Sequence, residues 1–285
     1  MATTLFLRQR IKTAKNVSKT TKAFQMIAAS KLKRAQSHAE ASKPYVEKLS
    51  ELSNILASKI QTQYSHPYMS PSTQSGRKLL VIFAPDRGLC GGLVTNLIRE
   101  YLKFAQDENC FAITVGKKIE KYVARSKNTL IASFPLGTVT PTFDMIPPIS
   151  TLIDQEYLSG KVSSVEVLST RFTSVFVQKP LVSPLLPLTL SQVEEKNLNQ
   201  FELFEPSVEM LIPPLLRRYM EMTLYQLLIE NFVSEQASRM IAMQNATDNA
   251  KDIIEQLTLE YNKARQARIT NEILDITSSS VAIYG

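Results

Sequence analysis

Cysteine is scarce in this chain of 285 residues: Cys90 and Cys110 are the only two. That is too few for a disulfide framework and points to reduced thiols in a reducing compartment. Both flank expected strands and read as small buried hydrophobes. The two histidines, His38 and His66, lie far from either cysteine in sequence, so no zinc-ligand spacing arises. No stretch of about 18 consecutive apolar residues occurs, which argues against a membrane-spanning helix. Carboxylates are missing from Met1 to Ala39, and Glu40 is the first. The same stretch carries Arg8, Arg10, Lys12, Lys15, Lys19, Lys22, Lys31, Lys33 and Arg34, within a net charge of +7. Such a block calls for a negative partner: nucleic acid, an anionic lipid surface or an acidic protein. An acid-free, arginine-bearing N-terminus also resembles a transit peptide. A helical seam that already starts at Leu7 leaves no room for one.

Glycine and proline are absent between Leu215 and Ile283. A helix of roughly 100 Å follows at about 1.5 Å per residue. Its seam runs through Val233, Ala237, Met240, Gln244, Thr247, Ala250, Ile254, Leu257, Tyr261, Ala264 and Arg268. Pro213 and Pro214 fit its first turn, where a missing N–H costs least. Residues 3–60 read as a second long helix. Its seam is Leu7, Ile11, Ala14, Ser18, Thr21, Phe24 and Ala28, continuing through Leu32, Ala35, Ala39, Ser42, Val46, Leu49, Leu56 and Ile60. Pro44 should kink this helix without ending it. Spacings that alternate between three and four are a heptad signature. The economical arrangement is an antiparallel coiled coil of the N- and C-terminal helices; a looped helical bundle is the alternative.

Between the helices the period changes. Residues 61–76, "QTQYSHPYMSPSTQSG", are a linker by composition. "KLLVIFAP", "CFAITVG", "NTLIASF" and "SSVEVLSTRF" are strand-like runs, with helical stretches at 92–106, 117–126 and 144–159 between them. Alternation of this kind implies a parallel sheet covered by helices. "VFVQKPLVSPLLP" fits a last edge strand, interrupted by prolines. The expected organisation is an N-terminal coiled-coil helix (1–60), the linker (61–76), an α/β domain (77–200) and a C-terminal coiled-coil helix (201–285). The class is α/β, a long antiparallel coiled coil plus a central Rossmann-like parallel-sheet domain.

The stretch "APDRGLCGGLVTN", residues 84–96, places a glycine-rich turn after the first strand. A Walker loop needs lysine and a hydroxyl after its last glycine, and Gly92 is followed by Leu93 and Val94. Gly88, Gly91 and Gly92 do not have dinucleotide spacing, and Asp107 and Glu108 fall in a helix-end loop and not at a strand end. The glycines therefore read as making a tight turn and a close backbone approach, with Asp86 and Arg87 able to pair or to cap the following helix. His38, in mid-helix, and His66, before Pro67, lack triad partners and read as solvated. Asp248 and Asp252 read as a wet helix face. No catalytic constellation, cofactor site or metal site is expected.

"TTKAFQMIAASKLKRAQ", "DRGLCGGL", "LLRRYMEMTLYQLLIENFVSEQASRMIAMQNATDNA" and "YNKARQARIT" resemble, in order and spacing, the gamma-subunit family of F-type ATP synthases. The resemblance covers both long helices and the start of the middle domain, and SEQASRMIAMQNATDNA is its most specific piece. It implies a non-catalytic rotor shaft standing in a hexamer of alpha and beta subunits, with the α/β domain on the ring of c subunits beside the epsilon subunit. Ion flow would turn the ring and shaft, and the off-axis shaft would drive ATP synthesis or hydrolysis at the beta subunits. Positions that would face the hexamer are Lys22, Phe24, Arg239, Arg265, Gln266, Thr270 and Glu272. Phe24 departs from the usual methionine, Thr20 from an isoleucine in a way that would weaken the seam, and the regulatory cysteine insertion of the chloroplast form is absent. The implied location is the cytoplasmic face of a bacterial inner membrane, or the matrix side of the mitochondrial one, without direct membrane or nucleic-acid contact. A rival reading, a basic nucleic-acid-binding coiled coil, would want aromatics among the basic residues, and only Phe24 qualifies.

Overall fold

The computed structural model describes residues 2–59, 66–70, 76–105, 110–188 and 208–284, with backbone alone at 2–3, 57–59, 208–209 and 276–284. Most of the expected linker, Asp107, Glu108 and the end of the expected α/β domain lie outside the described residues, as do the side chains of the uncharged C-terminus. Two compact units divide the chain: Met1–Ala28 with Met240–Gly285, and Ala29–Arg239. Helix α1 spans Ala2–Lys59 and helix α5 spans Val208–Tyr284.

In the first unit, α1 buries Leu7 and Ala28 and half-buries Ile11, Ala14, Ser18, Thr21 and Gln25. The spacing runs four, three, four, three, so the heptad selects Gln25 and leaves Phe24, 44% exposed, on the outside. The expectation that Phe24 is a seam residue is thereby corrected. Thr20 is also off the seam: it is exposed and donates to the Asn16 carbonyl at 3.0 Å, so it does not weaken the helix pair. On α5 the same rhythm buries Met243, Thr247, Ala250 and Leu257. Gln244, expected in the seam, is exposed, because three residues on from Met240 falls Met243. Arg268 is likewise exposed.

In the second unit, the α1 seam continues through Leu32, Ala35, Leu49, Ser53 and Leu56, all buried. Ser53 completes the four–three pattern that an apolar-only reading breaks, and its hydroxyl is satisfied by the Leu49 carbonyl at 2.7 Å. The helices run antiparallel: Ser42 meets Gln226 at 2.6 Å, and further along α1 the Tyr45 ring lies under Arg218. Pro44 sits within an unbroken helix on its exposed face. Pro213 and Pro214 do not occupy the first turn of α5. They are its sixth and seventh residues, since the helix begins at Val208.

The sheet has the order β3-β2-β1-β4-β5, with β1 Lys78–Phe83, β2 Phe111–Val115, β3 Thr129–Phe134, β4 Ser164–Phe172 and β5 Gln178–Leu186. Strands β1 to β4 are parallel, and their crossovers carry α2 (Leu93–Phe104), α3 (Lys117–Arg125) and α4 (Ile146–Leu158). Alternate residues of one face, Leu80, Ile82, Ala112 and Leu168, pack with Leu97 and Tyr101 of α2 and Ile119 and Val123 of α3. The other residues of β1, Leu79, Val81 and Phe83, are fully buried on the opposite side, as a strand covered on both faces requires. β5 departs from the parallel expectation. It is antiparallel to β4 because a tight turn, closed by Val177 N–H to the Ser174 carbonyl at 3.2 Å, leaves no room for a crossover.

His66 is not solvated as expected. Its Nδ1 accepts the Tyr68 amide at 3.2 Å, its ring packs edge-on against Tyr68, and burial lowers its pKa. His38, Asp248 and Asp252 are exposed, and both cysteines are buried. Among the described residues, no helix is long and apolar enough to cross a membrane, and no cluster could hold a metal ion.

Candidate partner-binding surfaces and the glycine turn

The glycine turn lies at the C-terminal end of β1, where the order β3-β2-β1-β4 reverses direction. Open α/β sheets bind their ligands in the crevice at that point. Here α5 fills it. Ser238 donates to the Cys90 carbonyl at 2.7 Å. Arg239 reaches the Arg87 and Gly88 carbonyls at 3.3 and 3.4 Å and the Glu235 carboxylate at 2.7 Å. Asn231 accepts the Thr170 amide at 3.0 Å, and Ser234 donates to the Thr170 carbonyl at 2.9 Å. Burial pushes the Glu235 carboxyl above its ordinary value, opposed by the Arg239 guanidinium. Burial also raises the Cys90 thiol, which disfavours the reactive thiolate.

The turn's glycines differ in what they do. Gly91 has a φ of 56° and takes the left-handed region that favours glycine. Gly88 and Gly92 have negative φ, and an added Cβ would meet nothing closer than 3.8 Å. The non-glycine Leu89 holds a φ of 64° and is 63% exposed. Asp86 does act as a cap, but not of the helix that follows it. Its carboxylate accepts Lys117 N–H, at the start of α3, at 2.9 Å and Gly137 N–H at 2.7 Å. The obligatory glycine is Gly116, absent from the motif as read in sequence: its φ is 111°, and a Cβ there would stand 1.8 Å from the Ala84 carbonyl oxygen.

The residues expected to face a partner fall into two groups. Lys22 and Phe24 are exposed on α1, and Arg265, Gln266, Thr270 and Glu272 on α5, all in the first unit. Lys22 reaches Gln25 at 3.2 Å, Thr270 is tied to the Gln266 carbonyl at 3.0 Å, and Glu272 pairs with Arg268 at 2.7 Å. Every residue from Arg265 to Asp275 is exposed. Among them are Ile269, Ile273 and Leu274, which are 45%, 55% and 58% exposed. Arg239 belongs to the second unit, where its side chain is only 16% exposed and held by the glycine turn. Sequence reasoning missed Asn231, Ser234 and Ser238. The available signal was polar residues at i, i+3 and i+7, which fall on one face of the helix.

The fold defines a class of α/β proteins with long terminal helices, in which the crevice of a mostly parallel sheet is occupied by the chain's own helix. A sequence profile described as ATP synthase matches residues 4–283. The ATP synthase gamma chain of Dehalococcoides mccartyi strain 195 is 39% identical over 289 residues, covering 99% of this chain and 100% of the relative. That of Legionella pneumophila strain Corby is 35% identical over 285 residues, covering 97% and 98%. Among solved structures, a chain of the Euglena gracilis mitochondrial ATP synthase (OSCP/F1/c-ring, rotational state 3) has the same fold. Its TM-score is 0.71 at 19% identity, with 99% of this chain and 95% of that one covered. The Tetrahymena thermophila mitochondrial ATP synthase central stalk/c-ring gives a TM-score of 0.60 at 24% identity, covering 80% and 99%. The chain belongs to the ATP synthase gamma chain family. That membership favours the rotor reading over a nucleic-acid-binding coiled coil.

Proposed function

We propose that this chain is the central rotor stalk of an F-type ATP synthase, turned by the c-ring and acting on ATP synthesis or hydrolysis at beta subunits. It performs no chemistry of its own. The observation that carries the reading is the run Arg265–Asp275 on α5, where isoleucines and a leucine stand exposed beside Arg265, Gln266, Thr270 and Glu272. An exposed helical surface that mixes apolar and charged groups suits a surrounding protein sleeve. The acid-free stretch from Met1 to Ala39 suits acidic loops of such a sleeve through solvated contacts of about 1 kcal/mol or less each. Weak contacts of that kind permit sliding where a strong fixed pair would arrest it.

The partners are the alpha and beta subunits as a hexamer, the epsilon subunit and the c-ring; Lys22, Phe24, Arg265, Gln266, Thr270 and Glu272 meet the hexamer, while Arg239 is engaged by the glycine turn. The complex sits on the cytoplasmic face of a bacterial inner membrane, which this chain touches only through the c-ring. Co-expression with alpha and beta subunits tests the reading. The chain is expected to co-purify with both, and Arg265→Ala with Gln266→Leu is expected to lower ATP hydrolysis by the assembled complex. Failure of the wild-type chain to join the complex, or unchanged turnover in the assembled double variant, counts against it.

A further inference from the structure

The side chains of α5 that reach the α/β domain form one stripe: Asn231, Ser234, Glu235, Ser238 and Arg239, spaced i, i+3, i+4, i+7 and i+8. They lie on a single helical face. All but Glu235 bond backbone atoms of the domain, and Glu235 holds Arg239 in place at 2.7 Å. Their targets are two strand ends. Leu168 is the last β4 residue registered with β1. Two residues on, at Thr170, the register with β1 has ended. Asn231 and Ser234 then take both the N–H and the C=O of Thr170, so the helix stands where the neighbouring strand would have continued. Ser238 and Arg239 hold the turn that β1 became.

We propose that this polar stripe is the torque-bearing joint between the α/β domain and the shaft helix, a positioning device whose loss uncouples rotation from catalysis. The proposal rests on the rotor reading above. Apolar packing is non-directional and lets two surfaces shear while staying buried. Hydrogen bonds to a sheet backbone are directional, and the backbone partner has no rotamers to change. A domain pushed sideways by a turning ring therefore loads the stripe first. Asn231 and Ser234 are fully buried, so solvent does not compete for their bonds.

The test uses the assembled, membrane-reconstituted complex carrying Asn231→Ala with Ser234→Ala, two residues outside the hexamer-facing set. ATP hydrolysis and the ATP-driven membrane potential, read with a voltage-sensitive dye, are measured on the same vesicles. The joint predicts hydrolysis near the wild-type rate and a several-fold loss of potential built per ATP consumed. A merely structural role would lower both together with the yield of complex, and an unchanged ratio overturns the proposal. Should the double variant not assemble, Ser238→Ala decides on the same two readouts: a lowered ratio supports the joint and an unchanged one refutes it. A wild-type chain that fails to assemble with alpha and beta subunits would instead defeat the rotor reading itself.

Discussion

Thr21 of α1 and Thr247 of α5 meet hydroxyl to hydroxyl at 2.7 Å inside the helix pair of the first unit. Each also lies within hydrogen-bond distance of its own helix, Thr21 of the Val17 carbonyl at 3.1 Å and Thr247 of the Met243 carbonyl at 2.8 Å. One hydroxyl must therefore accept across the interface while it donates along its helix. Thr247→Val is expected to cost about 1 kcal/mol by breaking that pair. Thr21→Val added to it should cost little more, since replacing both partners with apolar isosteres is nearly neutral. A double-mutant cycle by denaturant unfolding measures the coupling, and simple additivity would contradict it.

Gly116 and Gly88 offer an opposite pair. Gly116→Ala drives a Cβ into the Ala84 carbonyl at a φ of 111°. It is expected to destabilise by several kcal/mol, on the order of 4 or more, as a backbone clash does. Gly88→Ala meets only the end of Lys118 at 3.8 Å and should change stability by less than about 1 kcal/mol. Thermal unfolding of both variants ranks them.

The buried Glu235 sets a pH dependence. Its carboxyl is raised above 4.5, chiefly by burial. The folded state therefore holds this proton at pH values where the unfolded state has released it, and stability falls as pH rises. The contribution is full below about pH 4.5, the unfolded value, and is lost as pH climbs through the folded one. Glu235→Gln is expected to flatten that part of the curve in denaturant titrations across acidic pH. An unaltered slope would remove Glu235 as its source.

Phe24 lies off the seam and Gln25 in it. Phe24→Ala should leave the stability of the isolated chain within about 0.5 kcal/mol, as exposed substitutions do, while lowering hydrolysis by the assembled complex. Gln25→Leu should instead raise the unfolding midpoint by adding apolar burial to a half-buried seam position. The reverse pattern would return Phe24 to the seam.

Both long helices were legible because a three–four rhythm repeats over many turns and no glycine or proline falls between Leu215 and Ile283. The parallel strands were legible as short apolar runs between helical stretches. Single seam positions were not. Phe24 is more apolar than Gln25, and Ser53 is polar, yet register is set by the sum over a whole heptad row and not by the best local residue. The antiparallel β5 was hidden because its proline-broken run says only that it is an edge. The pairing follows from the tight turn at Ser174–Val177.

From the sequence alone came the two helices and the sheet between them, both of which rest on periodicity and on residue types within a short window. Only the tertiary structure decided what the turn is for. Asn231, Ser234, Ser238 and Arg239 act on backbone atoms at Thr170, Cys90, Arg87 and Gly88, more than 60 residues away in the chain. A peptide N–H or C=O is the same group at every residue, so no side-chain pattern at the receiving end could have announced the contact.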